Sequence, residues 1–255
     1  MTTDTATAAY EEAPADLADP ASGISPTEWR RTANGEHRYT VRARHDGGTD
    51  PLFLAHAARQ AALLVAHEAY AVPRGHHCVF RSLSSEVPTA HDVLGAPGDL
   101  TVDVELAEPD LRRGQLVGSL FRATTHAGPV RLGTAEVDFA FLSPAVYRFV
   151  RGSGTPDTAA QEAWPGATES EFSPDTEELV FRGTPVDHIP GMLLASAAVR
   201  LAPEPVHRVT ATFTGYTEPD KPCIFQLRAH EGDFGGHEVQ ALQSGRRVYE
   251  GTLTG

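Results

Sequence analysis

Cysteine is almost missing: Cys78 and Cys223 are the only two, one in each half of the chain, which excludes a disulfide framework and a CxxC metal pattern. Reduced, non-catalytic thiols are expected. Long apolar runs are missing too, and the longest falls well short of the ~20 residues a membrane span needs. Positive charge is scarce: 21 Lys and Arg against 34 Asp and Glu leave −13, without the clustered cations that a general nucleic-acid binder uses on phosphates. An acidic partner would have to dock on a local patch, and "LRRGQ" around Arg112 and "SGRRVYE" around Arg246 are the only short candidates. Residues 1–26 have neither a basic start nor an apolar core, so a secretory signal is not expected; their Ala, Asp, Thr, Pro and Glu content reads as a disordered tail. A cytoplasmic protein without metal or cofactor is the expectation.

What is present is a chain of 255 residues, 40% apolar and 22% charged. It is long enough for one large domain or two of roughly 110 to 130 residues. "TEWRRTANGEHRYTVRARHDG" alternates around an Asn-Gly turn and predicts a strand or hairpin. "DPLFLAHAARQAALLVAHEAYAVPRG" then runs without Gly or Pro from Leu52 to its VPRG breaker, and its apolar residues cover most of its circumference. That is a helix buried on most sides. From His76 to Val150 the texture is β, in "HCVFRSLSSEV", "GDLTVDVELAE", "GQLVGSLFRATTHAG" and "PVRLGTAEVDFAFLS". Residues 151–176 are polar and rich in Gly, Pro and Ser, as an interdomain linker would be. The order then recurs: "EELVFRG" as a strand, an Ala-rich helix, and four further strands to the end. An α+β layout in two units follows, residues 27–150 and 177–255.

The two helices superpose, "DPLFLAHAARQAA" over "PGMLLASAAVRLA", with Leu54/Leu194, Ala55/Ala195, Ala57/Ala197, Ala58/Ala198 and Ala62/Ala202 identical. With the repeated strand order, this points to an internal duplication. At the head of the second helix, Pro190-Gly191 follows Asp187-His188. The first N–H groups of such a helix have no intrahelical partner and lie at the positive end of its dipole. Gly191 would let a thioester carbonyl approach them, or it serves only tight packing behind a helix-starting Pro190. Asp187 either orients the His188 imidazole or caps the helix. On the first helix His56 is a candidate general base. Arg59 and Arg200 are candidate anion ligands, or snorkel to the surface. Ser196 lacks a G-x-S-x-G elbow and reads as a small helix residue. His76, His77 and Cys78 are adjacent on a strand and point to alternating faces, which argues against a metal site.

These two segments resemble the paired motifs of the A-factor biosynthesis hotdog family. Asp50, Pro51, Leu52, Arg59, Gln60, His67, Tyr70, Val72 and Pro73 match the first motif, and Asp187, His188, Pro190, Gly191 and Met192 the second. The resemblance implies a double hotdog, an α+β fold in which each of two long helices is wrapped by a curled antiparallel sheet. It also implies an acyltransferase-type condensation of a β-ketoacyl-carrier-protein thioester with dihydroxyacetone phosphate, giving an ester that closes to a butenolide phosphate in γ-butyrolactone signalling. More distantly the Pro-Gly helix is similar to that of carrier-protein dehydratases. The chain departs from the family pattern where His56 and Ser196 stand in place of a glutamate on each helix, and where Val199-Arg200 replaces the second Arg-Gln pair. The expected catalytic set is His56, Asp187 and His188, with Gly191, Met192, Arg59, Gln60 and Arg200 binding substrate. His56 is expected to face Asp187 and His188 in one working site, in a monomeric double hotdog or a homodimer. A dehydratase or thioesterase, or a silent acyl-binding protein, is the alternative.

Overall fold

The alternation of apolar and polar residues downstream of His76 builds a continuous antiparallel sheet. The computed structural model describes residues 9–15, 22–32, 35–47, 52–88, 97–152, 163–175, 177–181, 184–230 and 235–255. The motif residues Asp50 and Pro51, with Gly48 and Thr49 before them, lie outside these. The first half contains β1 (Glu11–Glu12), β2 (Ile24–Arg31), β3 (Arg38–His45), helix α1 (Phe53–Glu68), β4 (His77–Glu86), β5 (Gly98–Arg112), β6 (Gln115–Ala127) and β7 (Val130–Leu142). Helix α2 (Pro144–Gly152) and β8 (Thr168–Phe172) come next, followed by the short pair β9 (Val180–Phe181) and β10 (Thr184–Pro185). Helix α3 (Gly191–Arg200), β11 (Arg208–Phe213), β12 (Cys223–Ala229), β13 (His237–Gln243) and β14 (Arg246–Thr254) complete the chain.

The sheet order is β1-β2-β3-β5-β6-β7-β4-β11-β14-β13-β12-β8. In the first half β3, the strand just before the helix, and the four strands that follow it are arranged β3-β5-β6-β7-β4, with β2 and β1 added beyond β3. The second half repeats this permutation as β8-β12-β13-β14-β11, around α3. The halves join where β4 pairs with β11, from Arg208 opposite Glu86 to Thr212 opposite Ser82. This is the double hotdog, with the duplication visible in the connectivity.

Alanine explains why a sheet can wrap α1 closely. Ala55, Ala57, Ala58, Ala61, Ala62 and Ala66 are all buried, with Leu54, Leu64 and Val65 beside them, and the helix touches β2, β4, β5, β6 and β7. Small side chains let the backbones approach, and the larger ones fill the gaps at interior density. Gly133 on β7 marks a close approach: its φ is +150°, and a Cβ there would strike the Glu86 carbonyl oxygen and the Leu54 δ-carbon. Among the described residues no helix is long and apolar enough to cross a membrane.

The composition misplaces two boundaries. Strand β8 lies inside residues 151–176, the stretch read as a linker, and it supplies the first strand of the second half by pairing with β12. It is an edge strand with a mostly exposed face, where Phe172 alone packs on Phe225, so it carries no apolar run to announce it. Among the described residues of "EELVFRG", Val180 and Phe181 pair with β10, outside the main sheet. Likewise the stretch read as a tail holds β1, paired to β2, with Ala13 buried and Tyr10 beneath the Arg30 and Arg42 guanidinium groups.

Candidate active site

Helix α3 begins at Gly191 behind Pro190, whose φ of −59° and ψ of 142° are not helical, and no side chain caps it. The Leu193 and Leu194 N–H groups both donate to the Pro190 carbonyl, at 3.0 and 3.2 Å. The N–H groups of Gly191 and Met192 are therefore left at an open helix start without an intrahelical acceptor. Gly191 is needed there for packing as well, since a Cβ would come within 3.0 Å of the Phe213 ring.

Asp187 is not the cap. Its two carboxylate oxygens accept from the Tyr147 hydroxyl at 2.8 and 2.9 Å, and Oδ1 also lies 2.8 Å from His188 Nδ1. Tyr147 reaches that nitrogen too, at 3.2 Å. Arg151 donates to the Asp187 backbone carbonyl at 2.8 Å and holds its carboxylate at 3.6 Å. Partial burial pushes the Asp187 carboxyl up, but the hydrogen bonds from His188 and Tyr147, with the charges of His188 and Arg151, outweigh it and hold the pKa below the ordinary carboxylate value. An ionised Asp187 is acceptor only, so Nδ1 of His188 carries the proton, an assignment made from the hydrogen-bond network. Among the described residues, the side-chain hydrogen bonds of His188 are on Nδ1. Nε2 is left as the lone-pair nitrogen of an oriented imidazole.

Side chains that sequence reasoning did not assign to this site complete the surroundings. Tyr147 and Arg151 lie on α2, whose start does carry a signal: Ser143 and Pro144 occupy the cap and first positions, and the Ser143 carbonyl accepts from Tyr147 N at 2.8 Å. His77, at the start of β4, stacks on Tyr147 with centroids 3.7 Å apart. Tyr216 packs edge-on against His188 at 5.3 Å and against Tyr147 at 5.6 Å. Glu218 takes a two-pronged ion pair from Arg151, at 2.8 and 3.2 Å, which holds its pKa low. Burial first, and then the bond to Asp187, push the Tyr147 hydroxyl pKa up, so it stays a donor. No local pattern could find Tyr216, Glu218 or His77, because the two halves meet here only in the folded chain.

The other candidates are placed as follows. His56 is half-buried on α1, with its N–H on the Leu52 carbonyl at 2.9 Å. Among the described residues, the side-chain partners of Asp187 and His188 are Tyr147, Arg151 and Tyr216, and His56 is not one of them. Arg59 lies near enough to Cys78 to favour its thiolate, although burial dominates and pushes that thiol up to about 12. Gln60 is buried and donates to Ser22 Oγ at 3.2 Å. Arg200 bonds back to Ser196 at 3.2 Å and lies over the Phe172 ring. Met192 is buried in the core. Of the first motif, His67 Nδ1 bonds the Val72 carbonyl at 2.7 Å and Tyr70 bonds His37, both at the far end of α1.

Comparison with known proteins agrees with this architecture. The A-factor biosynthesis hotdog domain family matches residues 25–143. A 2-oxo-3-(phosphooxy)propyl 3-oxoalkanoate synthase of Streptomyces coelicolor is 33% identical over 244 residues, covering 83% of this chain and 77% of that protein. A synthase of the same name from Streptomyces virginiae is 27% identical over 239 residues, covering 78% and 81%. Among solved structures, an acyl-ACP thioesterase from Bacteroides thetaiotaomicron superposes with a TM-score of 0.58 at 9% identity, over 86% of this chain and 97% of that one. A 12:0-ACP thioesterase from Umbellularia californica gives 0.56 at 9%, over 84% and 93%. At such identity these two speak for the fold alone.

Proposed function

The chain belongs to the A-factor biosynthesis hotdog family, and on that premise we propose that it transfers a 3-oxoacyl group from a thioester to the hydroxyl of dihydroxyacetone phosphate. The product is the 2-oxo-3-(phosphooxy)propyl 3-oxoalkanoate named in its relatives. The donor is the thioester on acyl carrier protein, and one chain, with both halves of the sheet, is the working unit.

The observation that carries the reading is the Asp187–His188 pair beside an uncapped helix start. Nε2 of His188 takes the proton from the acceptor hydroxyl, and the oxygen attacks the thioester carbonyl. The carbonyl oxygen, now an oxyanion, faces the Gly191 and Met192 N–H groups, a kind of donor worth about 3 kcal/mol each in well-studied hydrolases. Collapse breaks the carbon–sulfur bond, and the departing thiolate takes the proton back from His188. Asp187 fixes the imidazole tautomer and stabilises the cation formed in transit. Proton return to sulfur leaves the site ready for the next acyl group.

Incubation of the purified protein with a 3-oxoacyl carrier protein, with and without dihydroxyacetone phosphate, tests this by product mass. A phosphorylated ester that forms only with the acceptor supports it. Free acid released at the same rate without the acceptor makes the protein a thioesterase and sinks it.

A further inference from the structure

One guanidinium stands between two carboxylates at the edge of the Asp187–His188 pair, and it is shared unevenly. Arg151 gives Glu218 both of its Nη groups, at 2.8 and 3.2 Å, whereas its Nε faces the Asp187 carboxylate at 3.6 Å. Nη2 also donates to the Asp187 carbonyl at 2.8 Å. Both carboxyls are held below their ordinary pKa, that of Glu218 first by the Arg151 hydrogen bond and further by the charges of Arg151 and Lys221. Two anions therefore compete for one cation, and Glu218 holds it.

The arrangement is fixed from both sides. The Glu218 N–H donates to Gln243 Oε1 at 2.7 Å, and Gln243 Nε2 donates to the Glu218 and Lys221 carbonyls, each at 2.8 Å, so the turn after β11 is pinned to the end of β13. The neighbouring Thr217 carbonyl accepts from the Ile189 N–H at 2.8 Å, which ties that turn to the segment carrying Asp187. The Arg151 side chain is 20% exposed, and its guanidinium carbon lies 4.9 Å from the centroid of the Tyr216 ring. A cation clamped in a partly desolvated place stays with the carboxylate that its fork fits in two-pronged fashion.

We infer that Glu218 is a positioning residue for the Asp187–His188 pair: by occupying Arg151 it leaves the Asp187 carboxylate to Tyr147 and His188. Among the described residues the Glu218 carboxylate bonds Arg151 and neither member of the pair, so it acts through the guanidinium. Without Glu218, Arg151 turns its fork to Asp187, a small movement from the 3.6 Å at which it already stands. The fork then takes up lone pairs that now accept from Tyr147 and from His188 Nδ1, and it neutralises the charge that stabilises the imidazolium. His188 thereby loses the single tautomer that exposes Nε2. The inference rests on the acyl-transfer reading for its effect on rate, and not for its effect on the tautomer.

The test compares the full chain as wild type, as Glu218→Gln and as Glu218→Gln with Arg151→Gln. The His188 ring nitrogens are followed by NMR at alkaline pH, where an imidazole is neutral and its tautomer can be read, and steady-state kinetics are measured beside them. Wild type should show the Nδ1–H tautomer alone. Glu218→Gln should show a mixture of tautomers and lose about tenfold in kcat with KM unchanged, a part of what full loss of tautomer control costs. Removing Arg151 as well should restore the tautomer and much of kcat, a coupling that independent sites do not show. Glu218→Gln with the wild-type tautomer overturns the inference, even where its thermal stability falls, because Glu218 is then only a structural part of its turn. A double variant that stays mixed overturns it too, since the effect does not then run through Arg151. The expected tautomer changes in a protein without acyl-transfer activity would refute the proposed reaction and leave the positioning role standing.

Discussion

His77 and Tyr147 stack ring on ring, with centroids 3.7 Å apart and planes 7° from parallel. The stack joins β4 of the first half to α2, and through the Tyr147 hydroxyl to Asp187 ahead of α3. Burial lowers the His77 pKa below its ordinary 6.5 against the pull of Asp187, with His188 and His76 adding to the lowering. Packing at the seam and titration in the site are thus linked.

Acid should weaken the fold through this stack. A His with a lowered folded pKa contributes stability that is present above its unfolded value of 6.5 and is lost as pH falls below it. Asp187, also lowered, adds a loss that begins near its ordinary 3.8 and continues through its depressed value. Thermal melts followed by circular dichroism should show a falling Tm from about pH 7.5 to about pH 5.5. His77→Phe keeps an aromatic stack without the titration and should flatten the slope. An unchanged slope would remove His77 from this account.

Tyr147→Phe keeps the ring contacts and deletes only the hydroxyl. Asp187 then loses a donor on both oxygens, its pKa should rise, and the acidic limb of the rate profile should move to higher pH. Stability should drop by about 1–2 kcal/mol in urea unfolding. Loss of stability with an unmoved rate profile would leave the hydroxyl a purely structural role.

His188→Ala should lower kcat by about 10²- to 10⁴-fold, the range for loss of a general base. Asp187→Asn should fall in the same range, because the amide no longer selects the tautomer that exposes Nε2. His56→Ala should cost much less. If steady-state kinetics reverse the order, with His56→Ala crippled and His188→Ala near wild type, the base is His56.

Gly191→Ala should cost about 1–3 kcal/mol from overpacking, since its Cβ would meet the Phe213 ring at 3.0 Å. Phe213→Leu in the same chain should recover part of that cost in a double-mutant cycle. Additive losses would mean that the two positions are not coupled.

Much of this protein was legible in residue order. Both long helices, the strands of the two halves and the place of Asp187-His188 ahead of α3 follow from period, turn residues and the paired motifs. Helix α2 was missed although Ser143-Pro144 signals its start. Strand β8 carried no signal, because an edge strand is held by backbone hydrogen bonds to β12 and needs little apolar content. The placement of His56 opposite the Asp-His pair is an inference from symmetry, and the side chains that α2, β4 and the segment after β11 gather around that pair lie outside its reach.

By itself, the sequence determined what depends on local order: two Ala-faced helices, alternating strands and an Asp-His pair before a Pro-Gly helix start. Backbone propensity and side-chain periodicity are properties of neighbouring residues, so they can be read along the chain. Tertiary structure alone decided that Asp187 would be held by Tyr147 and Arg151 rather than cap its helix, and that Tyr216 would pack against both His188 and Tyr147. Those contacts join residues far apart in the chain, and only the closing of one half of the sheet against the other, along β4 and β11, brings them within hydrogen-bonding reach.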